Sequence, residues 1–159
     1  MYRRFILAGA VTVVFAQLSA CAPASYQKPD TGEIPTLAMA TETWQQAPAT
    51  ALPAIEDLMQ QADKQIADSN WEVASEKLER ALRISPDYAP AWSRLARIAL
   101  YKDDPARAIQ MAKRSNSYAG NSVELKLLNW QFIREASEIQ GDVEGVQNAN
   151  KAIYILQNL

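Results

Sequence analysis

Residues 70–100 read NWEVASEKLERALRISPDYAPAWSRLARIAL, and this stretch decides the fold. Ahead of Pro86, the residues Trp71, Ala74, Leu78 and Ala81 recur at the three-and-four spacing that puts side chains on one face of a helix. Pro86 cannot continue a helix, so a break is expected there before a second apolar face carried by Trp92, Leu95 and Ala96. Working outward, Ala62 extends the pattern upstream into a helix that begins near Ile55. Ala62, Trp71, Ala74, Leu78, Ala81 and Pro86 then find counterparts 34 residues later in Ala96, Pro105, Ala108, Ala112, Ser115 and Gly120. A fixed period of this length is the mark of a stacked repeat, in which each unit buries its apolar face against its neighbour.

Small residues at those slots, with large ones between, resemble the tetratricopeptide repeat, whose unit is two antiparallel helices. The resemblance implies an all-α domain over residues 55–159, built of about three helical hairpins. Turn chemistry supports six helices of roughly 12 to 16 residues. Asp68-Ser69-Asn70 separates the first two, and Asp104-Pro105 supplies an N-cap followed by proline at the first helical position. Asn121 with Glu124 has the spacing of a capping box, and Gly141-Asp142 pairs a C-terminal glycine with a new N-cap. The third unit is atypical. Trp130, Gly141, Asp142 and Val146 align only if four residues are inserted ahead of Trp130, and Asn150 stands where an apolar residue is usual. Its last helix, Val143 to about Gln157, reads as a terminal cap with one face toward water. The core is expected around Trp71, Trp92 and Trp130.

The chain ahead of the repeats differs in kind. Residues 1–20 carry Arg3 and Arg4, an apolar run from Phe5 to Ala16, and the small-residue exit Leu18-Ser19-Ala20, the layout of a cleaved export signal. Leu18-Ser19-Ala20-Cys21 resembles the bacterial lipobox, which implies cleavage before Cys21, the chain's one cysteine, and a diacylglycerol and N-acyl lipid on it. Several acyl chains, at about 0.8 kcal/mol per buried methylene, hold far more firmly than one. Ala22, not Asp, follows the cysteine, and by the lipoprotein resemblance this implies the periplasmic face of the outer membrane. From Cys21 to Ala54, Pro23, Pro29, Pro35, Pro48 and Pro53 interrupt a run of Ala, Thr, Ser and Gln, which reads as a disordered tether. Its 33 residues after the cysteine reach about 110 Å if fully extended and span about 30 Å as a flexible coil.

Composition excludes several classes of function. The chain has 16 Lys and Arg against 18 Asp and Glu, and the signal holds two of the basic residues and no acidic one. The mature chain is therefore net acidic, which argues against nucleic-acid binding. With no histidine, imidazole catalysis and His-ligated metal sites are excluded. Ser115 and Ser117 have no base to activate them, and five glycines form no phosphate loop, so an enzyme is not expected and no cofactor is implied.

The use left to a repeat array is its groove. By the tetratricopeptide resemblance, groove positions fall near Met59, Asp63 and Ile66 in the first unit, near Ser93, Arg94, Arg97 and Tyr101 in the second, and near Gln131, Phe132, Glu135 and Ile139 in the third. Arg94, Arg97 and Tyr101 share a helical face suited to an acidic or aromatic segment. Lipid anchor, tether and small repeat domain together resemble the lipoprotein activators of class A penicillin-binding proteins. That implies a periplasmic or membrane protein partner, with the peptidoglycan synthase as the candidate. The layout also admits a pilotin-like assembly factor for an outer-membrane complex, although such proteins carry about six repeats, or a module that binds cell-wall glycan.

Overall fold

The computed structural model describes residues 51–159. They form α1 (Leu52–Ala67), α2 (Trp71–Ile84), α3 (Ala89–Tyr101), α4 (Pro105–Tyr118), α5 (Val123–Gln140) and α6 (Val143–Gln157), with no strand among the described residues. Successive helices pair as three antiparallel hairpins, α1/α2, α3/α4 and α5/α6, stacked in chain order as a tetratricopeptide-type array. Cys21, the signal and nearly all of the expected tether lie outside the described residues. Helix α1 opens at Leu52, three residues ahead of the expected boundary, because Pro53 occupies its first turn, where a missing N–H costs nothing.

One turn geometry closes all three hairpins. The backbone N–H groups of Asn70, Asp104 and Asp142 donate to the carbonyls five residues back, Gln65, Ala99 and Ser137, at 2.8–2.9 Å. In each turn the preceding residue is left-handed: Ser69 and Asp103 at φ 58°, Gly141 at φ 69°. This arrangement satisfies carbonyls that a helix C-terminus leaves open. The next helix is then capped in the second and third turns by Asp104 and Asp142, which accept from the Arg107 and Gly145 N–H groups at 3.0 Å.

The repeat slots form the core. Ala62, Ala74, Ala81, Ala96, Ala108 and Ala112 are completely buried, and so is Leu78 among the first two hairpins. Truncating Leu78 to alanine is expected to cost about 2–5 kcal/mol. The three tryptophans expected at the centre sit instead at its edge, each half-buried. Helices whose facing residues are alanine approach too closely to enclose an indole. Trp71 and Trp92 therefore lie over the rim of the core, where Trp92 Nε1 still reaches the Pro86 carbonyl at 2.8 Å.

The third hairpin absorbs its four extra residues as additional helix: α5 has 18 residues against 13 in α3. Its N-cap is Ser122, which accepts from the Leu125 N–H at 3.3 Å, not Asn121. Gly120, at φ 54°, prolongs the turn by one residue and moves the cap along. In α6 the buried positions are Ala149 and Ile153, while Asn150 faces solvent. The helix is thus rolled about its axis relative to α2 and α4, which keeps the Asn150 amide out of the core. Gly145 permits the close approach, since a Cβ there would meet the Asp142 carboxylate and the Ser137 hydroxyl.

Candidate functional site

The groove positions divide into two groups. Met59, Ile66, Ser93 and Phe132 are buried and present little surface on the groove. Asp63, Arg94, Arg97 and Tyr101 come together across α1 and α3, while Gln131, Glu135 and Ile139 lie half-buried along α5.

Arg94 is already engaged. Its Nε and Nη2 donate to Asp63 Oδ1 and Oδ2 at 2.6 and 2.8 Å, a two-pronged pairing between neighbouring hairpins, and Nη1 donates to the Pro90 carbonyl at 3.3 Å. The Arg94 side chain is 14% exposed and that of Asp63 48%. Such a planar, charge-assisted pair fixes α1 against α3. A glutamate at position 94 would face Asp63 and destabilise the stack, so a charge reversal there reports on stability as well as binding.

Arg97 and Tyr101 form a different kind of surface. Arg97 Nη2 donates to the Tyr101 hydroxyl at 3.3 Å, and its guanidinium carbon lies 5.5 Å from the ring centroid. The Arg97 Nε–H is buried with no hydrogen-bond acceptor. Tyr101 in turn stacks on Trp71, with centroids 4.4 Å apart and planes 10° from parallel. The result is a cation held on a two-ring aromatic shelf, a combination favoured where proteins bind proteins. Apolar periodicity places Trp71 in the core and does not reveal its place in this shelf. The signal lies in spacing. Asp63 and Arg94 are 31 apart, Trp71 and Tyr101 30 apart, as residues facing one another on adjacent hairpins of a 34-residue period should be.

At the opposite end of α3 from the shelf lies a polar node that sequence patterning does not flag. Asn129 is completely buried; its Nδ2 donates to Ser115 Oγ at 2.8 Å and to Asn116 Oδ1 at 2.9 Å. Ser115 Oγ donates to the Ala89 carbonyl at 2.8 Å, so one network joins α3, α4 and α5. Ser115 is thus a structural hydroxyl at the repeat slot of Ala81. Among the described residues, no group of three or more Cys, Asp or Glu could hold a metal, and no helix is long and apolar enough to cross a membrane.

Hairpin stacking plus a surface of ion pairs and aromatics define a tetratricopeptide-type protein-binding module. No protein-family model matches the sequence, and no curated protein matches it either. Among solved structures, it is similar to the globular C-terminal domain of P. aeruginosa LpoP, with 33% identity and a TM-score of 0.58 over 65% of this chain and 94% of that one. The chain belongs to the LpoP family.

Proposed function

We propose that this chain is a lipid-anchored protein of the periplasmic face of the outer membrane that binds and activates a class A penicillin-binding protein. The observation that carries this reading is its relation to the LpoP domain across nearly the whole of that domain. The anchor, tether and repeat layout shared with lipoprotein activators of these synthases supports it. In this reading Cys21 carries the lipid, the tether lets the domain reach through the cell wall, and the repeat domain makes the contact without chemistry of its own. The Trp71–Tyr101–Arg97 shelf is the face assigned to the synthase, because stacked rings carrying a cation are the kind of surface that protein interfaces favour.

The test is the rate of glycan polymerisation by the class A synthase of the same organism, measured with increasing amounts of the purified domain. A saturable rise is expected, and an unchanged rate at saturating domain overturns the proposal. Retention on purified sacculi with no protein present would favour a glycan-binding module instead. For the anchor, Cys21→Ala should abolish incorporation of radiolabelled palmitate and leave an uncut precursor; normal labelling would refute the assignment.

A further inference from the structure

A second surface lies on another face of α3. Helical geometry places Leu95, Ile98, Ala99 and Lys102 about a third of a turn from Arg94, Arg97 and Tyr101. There α2 stands away from α3 and the start of α4, leaving a cleft of about 400 Å³. Its floor is Leu95, Ile98 and Ala99. One wall is the α2 face of Glu72, Ser75, Glu76 and Glu79; the other holds Lys102, Asp104 and Arg107.

Two ion pairs bridge the mouth. Lys102 Nζ lies 2.9 Å from Glu72 Oε1, and Arg107 Nη2 lies 4.0 Å from Glu79 Oε1. All four side chains are about half exposed or more, so each bridge opens at small cost. The lining still has four carboxylates against two cations. Asp104 is committed to capping α4, and Glu72 and Glu79 to the bridges. Glu76, between them, makes no ion pair or hydrogen bond among the described residues. A slot with an apolar floor, a surplus of negative charge and one uncommitted carboxylate matches a long aliphatic stem ending in a cation.

We infer that this cleft is a second docking site, receiving a lysine or arginine side chain presented by a partner protein, with the stem over Ile98 and Ala99 and the charge at Glu76. It stands apart from the aromatic shelf and does not depend on the identity of the synthase. The domain would then grip two points on a partner, or two partners, with opposite preferences in charge.

The experiment uses residues 51–159, which have their own core and whose relative was solved as a globular domain. Amide shifts are followed by NMR during titration with n-butylguanidinium, and with n-butylurea as a neutral control of similar shape. Saturable shifts at Ser75, Glu76, Ala99, Lys102 and Arg107 are expected for the cation alone. Glu76→Gln should weaken them about two- to fivefold without loss of helicity, the size of effect a surface charge pair supplies. Lys102→Met should strengthen them, because it releases Glu72. Scattered or non-saturating shifts, equal response to n-butylurea, or affinity unchanged in Glu76→Gln would each overturn the inference. So would shifts of the same residues by inorganic phosphate, which would mark an anion site.

Discussion

The first two hairpins and the third solve the same packing problem with different means. In α1–α4 the repeat slots are alanines and leucine, completely buried, and helices meet through small apolar surfaces. In α5 and α6 the period is broken by four residues, α6 is rolled, and contact with the preceding hairpin adds the buried Asn129 amide to the apolar packing of Leu125 with Ala89 and Ala119. The contrast shows what a strict period supplies. Where it holds, apolar shape carries most of the register and the Asp63–Arg94 pair adds to it. Where it breaks, directional hydrogen bonds are added, and the buried Asn129 Nδ2 donor resists slippage because a shifted register would take it away from Ser115 and Asn116.

The sharpest way to break the comparison is at Asn129. Asn129→Ala removes a buried donor shared by Ser115 and Asn116 and leaves a cavity, so a loss of about 2–4 kcal/mol is expected in urea unfolding. Hydrogen exchange should rise first in α5 and α6, not in α1 and α2; uniform exchange would deny the third hairpin its separate basis. Next comes the pair that locks the first two hairpins. Asp63→Ala leaves a largely buried Arg94 without its carboxylate and should cost about 1–3 kcal/mol, read by the same denaturation.

The turns give a finer test, because one left-handed slot is filled by serine, aspartate and glycine in turn. Gly141→Ala should destabilise by about 1 kcal/mol, from backbone strain alone, since a Cβ there meets nothing within 4 Å. Ser69→Gly should move stability the other way by a few tenths to about 1 kcal/mol. Equal signs for the two would mean that the turns are not equivalent.

The smallest effect is in pH. Burial pushes the Tyr88 phenol above its ordinary value of 10.0. The folded state thus favours the neutral phenol, and its contribution, complete below pH 10, is lost as pH rises through the raised value. Tyr88 lies at the junction of the first two hairpins, so ultraviolet titration of a Tyr88→Phe variant should lose a late-ionising phenol and show flatter alkaline stability. On the acid side, the hydrogen bond from Lys102 holds the Glu72 carboxyl below the usual carboxylate value, so that bridge weakens only as pH falls past it.

Much of this was legible before the structure. Six helices, the 34-residue period, the caps at Asp104 and Asp142 and the extent of α6 follow from patterns in which local chemistry and burial agree. Hydrophobicity points the tryptophans at the core but does not reveal how closely alanine-faced helices pack, which leaves them against its edge. Asn129 was invisible because a buried amide differs from a surface one only through its partners. At the groove, the sequence placed Arg94, Arg97 and Tyr101 on one face. It did not show that Asp63 occupies Arg94, nor that Trp71 extends the shelf under Arg97.

The most direct measurement is a paired titration of the class A synthase with the native domain and with an Arg97→Ala variant of equal helicity. The account predicts a saturable rise in glycan polymerisation with the native domain, and a requirement for about tenfold more of the variant, as for loss of a binding residue worth more than 1 kcal/mol. No rise with the native domain would contradict the proposed function. A rise identical for both would contradict the assignment of the Trp71–Tyr101–Arg97 shelf as the contact.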